Sequence, residues 1–226
     1  MKEGKLLGIV ACDVIRKELE AAAANRDVLL HFLPYSLHST PSEMGNRIKE
    51  GIAAVKAMGA GPLALGYGLC SNGVVGVEND GPLVMPRCHD CIGMLLGSPK
   101  RYFEMFRQFP GTYFLTDGWI RNQADPLSSV EIKYTPRIGE KKAFRGMSLE
   151  LANYKTFCFV NTGVGNLESI KARTKENCRI FGKEYLEVDS GIEYFRALVD
   201  GPHGEEEFIS LSGGQKIISD YFYNII

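Results

Sequence analysis

The sequence predicts an α/β fold: a mostly parallel sheet with helices on both faces. Three observations carry that expectation. Short apolar runs alternate with longer amphipathic stretches along the whole chain, and βαβ units produce that alternation. The apolar runs are short and end at Gly, Pro, Asn or Asp, as buried strands do. Several of them pass directly into a loop that opens a helix, which is where open α/β sheets bind ligands. With 226 residues, the chain can form one large domain or two Rossmann-like lobes.

The elements follow in order. Residues 5–11 (KLLGIVA) form a first strand. Residues 14–24 form a helix that Asp13 can cap, which places Cys12 near the positive end of the helix dipole. Residues 28–33 are a second strand. Thr40-Pro41 then supplies an N-cap and a proline at the first helical position, with Glu43 placed as in a capping box. That helix runs over 41–58, with Ile48, Ile52 and Val55 on one face, and Gly59 and Gly61 stop it. Residues 62–65 are a third strand, entering the loop GYGLCSNG (66–73). Residues 83–85 are a fourth, leading into RCHDC (87–91) and a helix through Leu96. A helix follows over 98–109 and a fifth strand over 111–115, meeting Thr116-Asp117-Gly118-Trp119.

Residues 123–140 are polar, contain two prolines and read as an excursion; residues 141–151 are helical. A strand over 156–160 leads into NTGVGN (161–166) and a helix over 167–181. The GxG of that loop lacks the third glycine of a dinucleotide fingerprint. A strand over 184–188, a helix over 192–199, a strand over 207–211 and a helix over 215–226 complete the chain. The expected division is 1–122 as a first lobe, 123–153 as an excursion or linker, and 154–226 as a second, smaller lobe.

Composition excludes several classes. The net charge is −1, with scattered basic residues, so no nucleic-acid footprint is present. No run approaches the ~18 apolar residues of a membrane span, and the N-terminus lacks a signal-peptide pattern. The expectation is a cytoplasmic protein with reduced thiols. Its six cysteines then read as small buried residues plus a few ligands or nucleophiles.

Candidate chemistry concentrates in residues 66–97, which hold Cys70, Cys88, His89, Asp90 and Cys91. Thiolate with imidazole selects zinc-like ions or iron. Cys88 and Cys91 form a single C-x-x-C, so the remaining ligands would come from Cys70, Cys12 or His38 on other loops. A metal-free reading pairs Cys12 with Cys70 as acid and base, as in cofactor-independent racemases, with His89 and Asp90 tuning the pair. A third reading is non-catalytic: a structural ion or simple packing in a protein that binds a partner, with Asp90 only capping a helix. Cys158 and Cys178 read as core residues.

The segments ACDVIRKEL (11–19), LGYGLCSNGVVG (65–76), PRCHDCIGMLLGS (86–98), PGTYFLTDGW (110–119) and FCFVNTGVGN (157–166) resemble the domain of unknown function 1638 family. The resemblance covers most of the chain. It carries over Cys12, Cys70, His89, Asp90 and Cys91, with Cys88 at a variable position. It implies a ligand set of Cys12, Cys70, His89 and Cys91, with His38 in reserve. Members often occur beside genes for corrinoid-dependent methyltransferases. That context implies one-carbon metabolism, and the ligand set resembles in type the thiolate–histidine zinc sites that methyltransferases use to activate thiols; together they imply a zinc (or iron) site acting in or assisting corrinoid-linked methyl transfer, with corrinoid reached only through a partner protein. Expected partners are a small-molecule substrate or that corrinoid protein, and a second copy of the chain. Tyr67, Arg87 and Trp119 are expected to line the pocket, Arg87 serving an anionic group, and Asp90 to act in catalysis.

Overall fold

The structure is a computed structural model and describes residues 6–223. The first strand, β1 (Leu6–Cys12), includes Cys12 as its last residue; Lys5, expected in it, lies outside the described residues. A 3-10 turn (Asp13–Ile15) and α1 (Arg16–Ala22) replace the single helix expected over 14–24. The N-cap position of α1 is Ile15, whose side chain makes no cap bond, and the Asp13 carboxylate accepts from Arg16 Nε at 2.6 Å. β2 (Val28–Leu33), a 3-10 turn (Tyr35–Ser39) and α2 (Pro41–Ala57) follow. The Thr40 side chain makes no cap bond; its backbone carbonyl accepts from Glu43 N instead.

β3 (Ala60–Gly66), β4 (Leu83–Pro86), α3 (Cys91–Leu95), α4 (Pro99–Gln108) and β5 (Thr112–Leu115) occur close to their expected places, and a short helix not expected from the sequence, α5 (Asp117–Arg121), follows. The excursion is not a linker. It folds as α6 (Pro126–Ser128), a π-helical turn (Ser129–Tyr134), α7 (Thr135–Ile138) and α8 (Glu140–Glu150). Its Val130, Ala143 and Met147 enter a core with Leu115, Leu151, Phe157 and Cys178. β6 (Thr156–Asn161), α9 (Leu167–Phe181), β7 (Glu184–Asp189), α10 (Glu193–Asp200) and β8 (Phe208–Leu211) close the list. The helix expected over 215–226 does not form in its described part. Lys216 bridges to Glu78, and Ser219–Phe222 is a 3-10 turn. No helix of the described residues is long and apolar enough to cross a membrane.

The chain forms two compact units that differ from the division expected from the sequence. One takes residues up to 101 together with 192 onward; the other takes 102–191. The first unit holds a five-stranded sheet in the order β2-β1-β3-β4-β8. β1 pairs in parallel with β2 and β3, β3 pairs in parallel with β4, and β8 runs antiparallel to β4. That last pairing draws the 192–223 segment into the first unit. α2 lies on one face, where Gly51 is so close that a Cβ would sit 2.8 Å from Val10. The 3-10 turn and α1 lie on the other, against Gly66 through Ile15 and Leu19. The order reverses at β1, so a crevice opens between the carboxyl ends of β1 and β3.

The second unit holds a three-stranded parallel sheet, β5-β6-β7, in sequence order with no reversal. The loop between β6 and α9 serves its helix: Asn166 caps α9, accepting from Ser169 N at 3.2 Å. A buried polar knot ties this unit. Asp125, fully buried, accepts from Arg173 Nε at 3.1 Å, Asn177 Nδ2 at 2.9 Å and the Ser128 hydroxyl.

Candidate functional site

The site lies in the first unit, at the crevice between β1 and β3. β1 ends on Cys12, which is 2% exposed. β2 ends on Leu33, the register partner of Cys12, and the following turn carries Tyr35 and His38. β3 ends on Gly66, the register partner of Ala11, so Tyr67 leaves its strand beside Cys12. The loop after β3 and the loop after β4 then run together. Leu69 N donates to Cys88 O at 2.8 Å, and Cys70 N to His89 O at 2.9 Å. Gly68 permits that approach, since a Cβ there would lie 2.6 Å from Cys88 O and 2.9 Å from Asp90 Cα.

Three adjacent non-glycine residues, Cys70 (φ 47°), Ser71 (φ 56°) and Asn72 (φ 65°), hold left-handed backbone. Each costs of order 1 kcal/mol, and strain of this kind gathers at functional sites.

Cys12, Cys70 and Cys91 are all buried free thiols. Burial pushes the Cys70 thiol up, and the negative charge of Cys12 and Asp90 adds to the shift. Cys91 is pushed well above its ordinary value, first by burial and then by Cys70, Asp90 and Cys12. Cys12 therefore acts on both of the other sulfurs, and Cys70 and Cys91 stay protonated while no positive charge is near. The Cys12 sulfur lies 3.4 Å from His38 Nε2. Burial lowers the His38 pKa, with Asp90 opposing, so the imidazole is neutral at pH 7 and able to accept a proton or bind a metal.

Two tyrosines complete the crevice. Tyr35 packs its ring against His38 at 5.3 Å, and its pKa is raised by burial, then by Cys91 and Cys12. Tyr67 is 1% exposed and its hydroxyl has no hydrogen-bond partner. An unsatisfied buried hydroxyl costs about 1–3 kcal/mol. Burial raises its pKa, and Cys12, Cys70 and Cys91 add to the shift.

The expected site residues separate on inspection. Cys12, Cys70, Cys91 and Tyr67 are gathered at the crevice. The His89 backbone carbonyl holds Cys70 N, and its ring lies 6.0 Å from that of Tyr223. His38, the reserve, is the histidine in contact with Cys12. Asp90 caps α3, accepting from Ile92 N at 2.9 Å; it presents Cys91 as the first residue of the helix. Cys88 turns away from Cys91, with its sulfur 3.6 Å from the Tyr194 hydroxyl. Burial pushes that thiol up to about 12, against the opposing Tyr194 hydrogen bond.

Arg87 spends its guanidinium on backbone carbonyls: Glu205 O at 2.8 Å, Phe208 O at 3.5 Å and Tyr221 O. It fastens the C-terminal segment and is not free for an anion. Trp119 belongs to the second unit and packs against the core of that unit. Sequence reasoning missed Tyr35 as a neighbour of the thiols. Its position just past the end of β2, one strand from β1, was the available signal.

The fold and these side chains define an α/β protein with a thiol-lined crevice at the switch point of its larger sheet. The chain matches the family described as Protein of unknown function (DUF1638) over residues 32–199, and it belongs to that family. The matched region contains His38, Tyr67, Cys70, His89, Asp90 and Cys91; Cys12 precedes it. No curated protein and no solved structure matches the chain.

Proposed function

We propose that the crevice between β1 and β3 takes up one soft divalent cation, zinc in the first instance and iron as the alternative. Cys12, Cys70 and Cys91 would be the thiolate donors and His38 the fourth side chain. One observation carries the reading: three buried thiols, at the end of β1, in the loop after β3 and at the start of α3, lie at one strand-exit crevice. The donor types fit, since sulfur with imidazole suits zinc and iron. Burial alone leaves the Cys70 and Cys91 thiols neutral, and a divalent charge would offset the cost of ionising them. Among the described residues, no three His, Cys, Asp or Glu side chains are already gathered into a coordination shell; a change of χ1 rotamer moves a cysteine sulfur within such a crevice.

The chain's own part is to bury the donors, exclude water and hold His38 neutral. A bound zinc-like ion would supply Lewis acidity that lowers the pKa of a thiol or water at an open position. We further propose that this site acts in, or assists, corrinoid-dependent methyl transfer, with the corrinoid on a partner protein. The support is the agreement between thiol-activating ligand chemistry and the gene context that the family resemblance implies.

Elemental analysis of protein purified without a tag, followed by Cd²⁺ titration, tests the cation. One equivalent in wild type and loss in Cys70→Ala and Cys91→Ala is the expected result. Sub-stoichiometric metal that Cys70→Ala leaves unchanged refutes it. The Cys12–His38 contact favours a second reading, a metal-free thiol nucleophile or acid/base pair. That reading predicts a Cys12-dependent reaction that survives chelation. Mixing with a methylcorrinoid protein and watching its absorption tests the methyl-transfer assignment; no change with any thiol acceptor removes it.

A further inference from the structure

β2 is an edge strand without the usual protection. It stands first in the order β2-β1-β3-β4-β8 and pairs with β1. Among the described residues no strand lies on its other side, so a row of backbone N–H and C=O groups faces outward. Proteins blunt such edges with short strands, charges, proline or bulges. β5 and β8 have four residues each, and β7 carries Glu184, Glu187 and Asp189. β2 has none of these devices. Its six residues, VLLHFL, include no Lys, Arg, Asp, Glu or Pro. Its register with β1 runs from Leu7 and Val28 to Cys12 and Leu33 without a shift. Leu29, Leu30 and Phe32 stay half-buried, whereas Ile9, Val10 and Ala11 of β1 are fully buried.

We propose that two copies of this chain join through β2, antiparallel about a two-fold axis, so that two five-stranded sheets become one of ten strands. A strand edge is complementary to its own antiparallel copy, because each outward N–H meets a C=O across the axis. Pairing over the whole strand makes roughly six backbone hydrogen bonds. The charges agree with this occupant. With the axis at Leu30, Arg26 and Asp27 of each copy fall opposite the uncharged Pro34 and Leu33 of the other, so no like charges meet. The carboxyl end of β2 leads into the turn that carries Tyr35 and His38. In the antiparallel pair that turn runs beside the 24–27 loop of the other copy, so assembly reaches the rim of the crevice.

The test is sedimentation equilibrium of the full chain from about 0.1 to 100 µM, with hydrogen exchange over residues 28–33 read by mass spectrometry. Wild type is expected to reach twice the chain mass of 25.0 kDa. Its 28–33 amides are expected to exchange at least about tenfold more slowly in the dimer than after dilution, while those of β7 do not change. Leu30→Lys sets like charges near the axis and is expected to be monomeric with unchanged circular dichroism. An equimolar mixture of Leu30→Lys and Leu30→Glu is expected to pair again. A wild-type chain that stays monomeric throughout overturns the proposal. So does a dimer whose 28–33 amides exchange at the same rate after dilution, because it joins elsewhere. Protected 28–33 amides in a monomer also overturn it, because another segment then covers the edge. Folded Leu30→Lys that remains dimeric does the same. If Leu30→Lys fails to fold, the wild-type mass and exchange on dilution decide alone.

Discussion

Gly68→Ala is the sharpest perturbation of the crevice. An added Cβ would lie 2.6 Å from Cys88 O and 2.9 Å from both Cα and N of Asp90, where ordinary contact begins near 3.4 Å. Every one of those atoms is backbone, so no side-chain rotation relieves the clash. The loop after β3 must move away from the loop after β4. Overpacking of this kind costs about 1–3 kcal/mol. The same movement stretches the bonds from Leu69 N to Cys88 O (2.8 Å) and Cys70 N to His89 O (2.9 Å), each worth about 0.5–1.5 kcal/mol. A loss of about 2–4 kcal/mol is expected in urea unfolding followed by circular dichroism. Alkylation of Cys70 and Cys91 in the native protein should accelerate by at least about 30-fold, following the same free energy of opening. Destabilisation below about 0.5 kcal/mol with unchanged alkylation would refute the claim that these loops touch backbone to backbone.

Other outcomes follow from the same geometry. Because burial raises the thiols of Cys70, Cys88 and Cys91 in the folded state, the unfolded chain ionises first, above about pH 8.5. Stability without cation should therefore be full below that pH and fall as pH rises, by up to about 1.4 kcal/mol per pH unit for each thiol; urea midpoints at pH 8, 9 and 10 measure this. Cation affinity should rise with pH over the same range, with proton release on binding detected in weakly buffered titrations. Cys88→Ala should keep one equivalent of Cd²⁺, because that sulfur faces Tyr194 and not the crevice. Asp125→Ala should destabilise the second unit by about 1–3 kcal/mol, since the buried Ser128 and Asn177 donors lose their acceptor while Arg173 keeps Glu131 and Glu176. Arg87→Ala should cost about 1.5–3 kcal/mol and expose the segment after Glu205 to limited proteolysis, because three carbonyls there lose their donor.

The sequence by itself determined the α/β class, the strands and most of the longer helices, and the segments on which Cys70 and Cys91 sit. These are local properties: periodicity reports which face of an element is buried, and Gly, Pro and Asn mark where an element ends. Pairing is not local, and only the tertiary structure decided it. β8 reads like any other apolar run, yet it turns back against β4 and carries the 192–223 segment into the first unit. The residues at 123–153 look like a polar excursion, but one face of their short helices fills a core. Within residues 66–97 the spacing of Cys88 and Cys91 suggested a pair. The start of α3 points one sulfur towards Tyr194 and leaves the other in the crevice. Asp90, expected in catalysis, caps the helix at this turn. Cys12 and His38 stand 26 residues apart and meet only because β1 and β2 are neighbours in the sheet. Residue types were legible at each strand exit; which of them share one crevice was set by strand order, because the reversal at β1 chooses which exits converge.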